Sequence, residues 1–339
     1  MTSNRRFLLV NRPIGDPRPE DFKLVTEPVP KPGAGSFVIR NYFASLDPAQ
    51  RGWMDDAPSY IPPIPLGDAV RATTVGQVHS SSNPDFVPGD WVVGLNAIEE
   101  YSVAAPGGFT SKIDISHVSS PSHYLSAMGA VGLTGYFGLL DAAKPKPGET
   151  VLVSGAAGAV GSVVGQIAKI KGCRTIGIAG GPAKCKRLLT DYKYDVAIDY
   201  RGKTMEALAA EIAKAAPNGV NIIFENVGGD VLDAELMNLA HSARIILCGL
   251  IGEYNSAHGK VGARNIWQLI VKRATMQGFL IADYVPRFAE GGTQIAQWIS
   301  EGKLRIDEHV VNGIENAYPA FMMLFSGANE GKLILKIAK

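Results

Sequence analysis

Cysteine is scarce in this 339-residue chain: Cys173, Cys185 and Cys248 are all there is, and none precedes position 173. An odd, scattered set with no Cys-x-x-Cys pair excludes a cysteine-rich structural zinc lobe and points to a reducing compartment. Histidine supplies no substitute ligand set. His79, His117 and His123 are isolated, without partners at ligand spacing, whereas zinc needs three or four ligands converging on one ion. An excess of charge is missing too: 33 Lys+Arg against 32 Asp+Glu leaves a net +1. That balance offers no basic stripe to nucleic acid and no field to an anionic membrane. No uncharged apolar run approaches the ~18 residues of a membrane helix. After Arg5-Arg6, the run Phe7–Val10 is far too short for a signal-peptide core. A soluble, cytoplasmic protein with no nucleic-acid or membrane partner is expected. With 46% hydrophobic and 8% aromatic residues the chain has material for packed cores, and its length predicts two domains.

The most informative stretch runs from Val151 to Lys169. Val151-Leu-Val153 is a short β-branched apolar run after Pro147-Gly148 and reads as a buried strand. Glycines follow at 155, 158 and 161, and then Val160, Val163, Val164, Ile167 and Ala168 recur at helical spacing. Strand, glycine turn and helix form the geometry that aims backbone N–H groups at a pyrophosphate. Taken alone, the triplet fits an ordinary strand–helix turn equally well; its flanks favour the phosphate reading. The next strand, Arg174–Ala179, lies where a βαβ unit places it. An NAD site needs an acid at that strand's end for the ribose hydroxyls. Here the chain reads Gly180-Gly181-Pro182-Ala183-Lys184-Cys185-Lys186-Arg187, with three cations and no acid. Lys184 or Arg187 would pair with a 2′-phosphate, which selects NADP(H) over NAD. The competing reading is a solvated basic helix start.

Along the rest of the chain, residues 1–120 carry short strand-like runs separated by turn signals such as Lys31-Pro-Gly33 and Val87-Pro-Gly-Asp90. They predict a compact, mainly β domain without a long helix. Tyr124 to Leu140 reads as helix. Strand and helix then alternate: a helix near 183–191, a strand at 196–199, a helix at 205–215, a strand at 219–224, a helix at 230–239 and a strand at 243–248. Such alternation predicts a doubly wound parallel sheet with ligands outside the carboxyl ends of its strands. Residues 276–281 are expected as its last strand. The tail alternates like the N-terminal strands, so the expected division is a β domain of residues 1–125 and 306–339, with a nucleotide domain of residues 126–305 inserted in it.

A wider set of motifs now resembles one family. Ser45-Leu-Asp-Pro48 with Arg51-Gly52, Gly132-Leu-Thr-Gly-Tyr136, Ala156–Ser162, Phe224-Glu-Asn-Val-Gly-Gly229, Cys248-Gly249 with Tyr254-Asn255, and Gly331-Lys332 are similar to the medium-chain dehydrogenase/reductase superfamily. Within it they resemble the zinc-free branch of NADP-dependent alkenal/enone double-bond reductases. The resemblance spans nearly the whole chain and implies a Rossmann domain inserted in a GroES-like domain, and a homodimer. It implies that the turn Ala157, Gly158, Ala159, Val160 and Gly161 holds the pyrophosphate of NADPH. Lys184 and Tyr200 would bind the 2′-phosphate, with Gly180 leaving room. Asn226, Cys248 and Asn329 would contact the ribose and nicotinamide side, and the backbone at Phe279 the carboxamide. In one departure, Ala49-Gln50 stands where the family has Tyr-Met, which removes an aromatic from the substrate wall.

Without a metal, a carbonyl must be polarised by hydrogen bonds. Hydride delivered to the β-carbon of an enone puts negative charge on the carbonyl oxygen, and a tyrosine hydroxyl aimed there stabilises the enolate. The resemblance gives this role to Tyr254; spacing alone fits a surface loop tyrosine. Arg51 has two readings, the substrate mouth or an ordinary salt bridge. The expected reaction is NADPH-dependent reduction of the C=C bond of an enal or enone. Quinone reduction and a non-catalytic NADPH-binding protein are the alternatives.

Overall fold

The computed structural model describes residues 3–105, 108–257 and 262–338. Strands β1 (Ser3–Leu9) and β2 (Phe22–Pro28) form an antiparallel ribbon. Beyond it, β3 (Phe37–Ser45), β4 (Arg71–Ser81), β5 (Trp91–Ala97), β6 (Tyr101–Ala104) and β7 (Thr110–Lys112) pair antiparallel in a second sheet. The turn residues act as their chemistry dictates. At the β4–β5 turn the Asp90 carboxylate accepts the Val87 amide at 2.9 Å, and the Asp90 amide closes onto the Val87 carbonyl.

One short helix, α1 (Ala49–Trp53), was not expected. It follows Asp47-Pro48 and is anchored by Gln50. That side chain accepts the Asp47 amide at 2.9 Å and donates to the carbonyls of Ser45 and Arg71. Gln50 is therefore a buried tether. The expected helix over 124–140 is broken: a 3₁₀ turn at Pro121–Leu125 precedes α2 (Ala130–Phe137), which runs into a π turn at Gly138–Ala143. Here the chain doubles back, and Gly129 and Gly132 lie directly against the backbones of Tyr124 and Ala127, an approach that a Cβ would block.

Strict alternation follows. In chain order come β8 (Thr150–Val153), α3 (Ala159–Ile170), β9 (Arg174–Ala179), α4 (Pro182–Thr190), β10 (Val196–Asp199), α5 (Met205–Ala215), β11 (Val220–Glu225), α6 (Gly229–Leu236), β12 (Leu239–Leu247), α7 (Trp267–Lys272), β13 (Thr275–Gly278) and α8 (Phe288–Ser300). The strands are ordered β10-β9-β8-β11-β12-β13, and every pairing is parallel. Apolar residues alternate to the two faces. Val151, Val153, Ile222 and Phe224 meet Leu133, Val163, Ile167, Ile295 and Trp298 on one side. Leu152, Ile176, Ile223 and Ile245 meet Leu208, Ile212, Val231 and Leu236 on the other. A sheet buried on both faces is the physical reason its strands read as continuous apolar runs.

The tail carries β14 (Glu308–Asn312), α9 (Ala317–Ser326) and β15 (Lys332–Lys336). β15 pairs antiparallel with β3, Ile334 opposite Ser45, and β14 lies parallel on its outer side. The doubly wound sheet is thus interposed between strands of the mainly antiparallel one. The sequence pattern gave no sign of β14.

Candidate functional site

The strand order reverses between β8 and β11, so their carboxyl ends open a crevice. At the end of β8 the chain turns through Gly155 and enters α3 at Ala159, with Gly158 as N-cap and no side chain capping the helix. The first N–H groups of the helix, at Ala159, Val160 and Gly161, therefore face outward for an anion. Gly161 is required sterically: a Cβ there would lie 2.7 Å from the Ala156 Cα. Ala157 is buried under the turn.

Toward β9 and β10 the charge becomes positive. A Cβ on Gly180 would stand 3.0 Å from the Arg201 Nε and 3.1 Å from the Tyr200 hydroxyl, so glycine keeps this niche open. Lys184 reaches the same place, donating to the Gly327 carbonyl at the end of α9 at 2.8 Å. Burial pushes the Lys184 ammonium below its ordinary value, and neighbouring Arg201 adds to the shift. Two like charges held together suit a doubly charged anion. The segment Tyr200-Arg201 is one expected at the carboxyl end of its strand, but Arg201 itself was given no role from the sequence. Arg187, the alternative partner to Lys184, is committed elsewhere. It pairs with Asp307 at 3.0 Å, Glu330 at 3.3 Å and Asp191 at 3.7 Å.

Beyond β8, the Asn226 side chain donates to the Ser154 carbonyl at 2.8 Å and its amide to the Ser154 hydroxyl at 2.8 Å. Cys248 and Gly249 hang their amides on the Glu225 carbonyl. The Cys248 thiol is pushed up to about 12 by burial and by Glu225, so it is a neutral, unreactive thiol. The Tyr254 hydroxyl accepts the Leu250 amide at 3.1 Å. Burial holds that phenol above its ordinary value, with the Leu250 amide pulling the other way. It is a protonated donor over the whole neutral range. At the far end, Phe279 gives its amide to Leu247, which leaves its carbonyl as the backbone group it can offer.

Of the remaining predicted residues, Arg51 has the contacts that decide its reading. Arg51 is buried, with one nitrogen on Asp55 at 2.5 Å and others on the carbonyls of Pro13 and Gly15 at 3.1 Å. It is the salt-bridge reading that the structure realises: Arg51 pairs with Asp55 and ties the loop at Pro13–Gly15 to α1. That loop in turn meets the Tyr254 segment, where Asn255 donates to Asp16 at 2.6 Å. Asn329 donates to the Gly331 carbonyl. Its neighbours Gly327 and Glu330 meet Lys184 and Arg187.

An aromatic pair, Trp53 and Tyr60, was missed. The Trp53 indole donates to the Tyr60 hydroxyl at 2.9 Å. Burial and then Asp47 and Cys248 raise the Tyr60 phenol against that bond, and Tyr60 in turn acts on Tyr254. The two phenols thus lie within electrostatic range of each other. Among the described residues, no group of three His, Cys, Asp or Glu side chains is placed to hold a metal ion, and no helix is long and apolar enough to cross a membrane.

Known proteins place this geometry. A family model described as the N-terminal domain of oxidoreductase matches residues 5–112, and one described as zinc-binding dehydrogenase matches residues 159–297. The NADPH-dependent curcumin reductase of Escherichia coli is 41% identical, with 99% of this chain and 97% of that protein aligned. The tobacco 2-alkenal reductase (NADP(+)-dependent) is 37% identical over 99% of this chain and 98% of its own. A crystal structure of CurA from Vibrio vulnificus in complex with NADPH superposes with a TM-score of 0.91 at 41% identity, covering 99% of both chains.

Proposed function

Because the chain belongs to the medium-chain dehydrogenase/reductase superfamily, in its branch of NADP-dependent alkenal and enone reductases, we propose that it reduces the C=C bond of α,β-unsaturated aldehydes and ketones with NADPH. The observation that carries the reading is the row of groups along the carboxyl edge of one sheet. Lys184, Arg201 and Tyr200 stand at one end, the turn at 157–161 in the middle, and Asn226, Cys248, Tyr254 and Phe279 at the other. The residues fit a 2′-phosphorylated dinucleotide: Gly180 leaves a niche, two cations face it, and no acid ends β9.

NADPH, when bound, supplies the hydride. Tyr254 donates its proton toward the substrate carbonyl, meeting the negative charge that grows there as the β-carbon is reduced. One such donor is worth ~2.7–4 kcal/mol. The Leu250 amide, by donating to the phenol oxygen, favours proton release from Tyr254 to the α-carbon or to a water that reaches it. Trp53 and Tyr60, joined by their hydrogen bond, are the aromatics we assign to the substrate wall in place of the one absent at Ala49. The chemistry is read as metal-independent, since among the described residues no His, Cys, Asp and Glu side chains converge as a zinc ligand set. A homodimer is proposed on the outer edge of the parallel sheet. β13 is an edge strand there, flanked by exposed Ile266, Trp267 and Ile270, a combination that favours pairing with a second copy. A cytoplasmic location accords with the sparse, unpaired cysteines.

The test is a panel of enals, enones and quinones with NADPH and with NADH, before and after exhaustive chelation. Enone turnover with NADPH that survives chelation is expected. Turnover confined to quinones would replace the reading with NADPH:quinone oxidoreduction, and binding without any turnover would make the protein a non-catalytic NADPH binder.

A further inference from the structure

Beneath the Asn226–Gly229 turn lies a buried pair of acids that the reaction does not use. Glu225, at the end of β11, and Glu235, on α6, have no exposed surface. Their surroundings differ sharply. The Glu225 carboxylate accepts the Ser154 hydroxyl at 2.6 Å, the Val227 amide at 2.7 Å and the Gly228 amide. Among the described residues, neither oxygen of Glu235 receives a donor; the polar group it meets is the carboxyl of Glu225. Two ionised carboxylates would place acceptor against acceptor in a dry site, at a cost neither could offset. One proton converts the contact into an O–H···O⁻ bond, and it resides on Glu235, whose charged form no donor holds.

We propose that Glu235 is a neutral acid which donates to Glu225, and that this shared proton positions the cofactor and Tyr254 loops and sets an alkaline limit on the protein. The connection runs through the backbone. Glu225 holds the amides of the turn through its carboxylate, and its carbonyl accepts the amides of Cys248 and Gly249. Asn226 and Val227 accept those of Ile251 and Gly252, and the Ile251 carbonyl accepts the Tyr254 amide. Burial, then Glu225, pushes the Glu235 acid well above the ordinary carboxylate range.

The other groups around it leave the proton on Glu235. From the β12 side comes the neutral Cys248 thiol; Arg244, on β12 itself, is bound to Glu149 at 2.5 Å. α5 turns Leu208, Ala209 and Ile212 inward, and its charged residues Glu206, Glu211 and Lys214 lie outside the buried face. On α6, Asp230 and Asp233 are paired with Arg264. Glu253 accepts the Gly229 amide at 3.1 Å at the start of that helix. The sign follows from a folded-state value raised above the unfolded one. Stability is fully present below the unfolded carboxyl value and is lost as pH rises toward the folded one.

Melting curves and NADPH affinity (by fluorescence titration) of the full-length protein are compared from pH 6 to pH 10 with those of Glu235→Gln, whose amide donates at every pH. The wild type should lose about tenfold in its folding constant per pH unit relative to the variant, within the window between the two values. Its NADPH affinity should fall more steeply over the same range than that of Glu235→Gln, the Lys184 contribution being common to both, and Glu235→Gln should flatten the melting profile. Parallel melting profiles for the two proteins would overturn the proton assignment. A flattened melting profile with an unchanged pH dependence of NADPH affinity would overturn the positioning role. Should Glu235→Gln not fold, infrared difference spectra of the wild type between pH 6 and pH 10 decide: a buried protonated-carboxyl band lost at high pH supports the assignment, and its absence sinks it. The affinity arm rests on the proposed use of NADPH. If the wild type binds no NADPH, that reading fails while the melting arm still judges the proton.

Discussion

Replacing Lys184 by Ala tests the phosphate niche most sharply, because NADH provides an internal control. Lys184 is half-buried and faces Arg201 across the opening kept by Gly180. A charge-assisted hydrogen bond in such a place is worth ~1.5–3 kcal/mol. Its loss should raise the NADPH dissociation constant roughly 10- to 150-fold. Arg201 is exposed, so screening reduces its share, and Arg201→Ala should cost only ~0.5–1.5 kcal/mol, roughly 2- to 10-fold. Lys184 also holds the Gly327 carbonyl, so the substitution loosens the tie to α9 as well. That loss falls on both cofactors alike. The ratio of NADPH to NADH affinity, measured by fluorescence titration at fixed ionic strength, therefore isolates the phosphate. The preference should collapse in Lys184→Ala. It should also weaken in the wild type as pH rises, beginning below the usual lysine range, since burial and Arg201 depress that ammonium. Equal losses for the two cofactors would refute the niche and leave Lys184 with its tie to the end of α9 alone.

The remaining predictions concern three other parts of the molecule. Tyr254→Phe should lower enone turnover ~100- to 1,000-fold by removing a transition-state donor, with little change in NADPH affinity; undiminished turnover in a folded variant would take Tyr254 out of the chemistry. Arg51→Ala strands Asp55 and two loop carbonyls, and should destabilise the fold by about 3 kcal/mol, at the lower end for a broken buried pair because Asp55 is partly exposed. A thermal melt checks it, and an unaltered melt with a raised enone Michaelis constant would return Arg51 to the substrate mouth. Ile270→Asp puts a charge beside β13 and should yield a monomer in sedimentation velocity; a wild-type protein that is itself monomeric at micromolar concentration would dispose of the proposed edge pairing.

What the chain declares locally proved dependable. Apolar period, glycine spacing and the missing acid after Ala179 are short-range properties, and a parallel sheet covered on both faces leaves few ways to satisfy them. Hence the strands at 196–199 and 174–179 and the helix at 205–215 stand where periodicity puts them, and the turn at 155–161 opens at the switch point. The boundaries that moved did so where backbones touch: Gly129 and Gly132 break a helix that their apolar neighbours alone would continue. Partnership was the other thing hidden. Arg51 finds Gly15, Arg187 finds Asp307, and Lys332 finds Asp47 at 2.6 Å, across 36, 120 and 285 positions of sequence. No local pattern encodes who stands opposite a side chain once two sheets have closed on each other. Arg201, Trp53 and Tyr60 became visible for the same reason, and so did Glu235, which reads as a solvated helix residue until α6 turns it onto β11. Sequence by itself determined the cradle and the class of cofactor it suits. Only the tertiary structure decided which charges face that cofactor and which are spent holding the fold, because burial and distance, not residue type, decide whether a charge is paired, screened or neutralised.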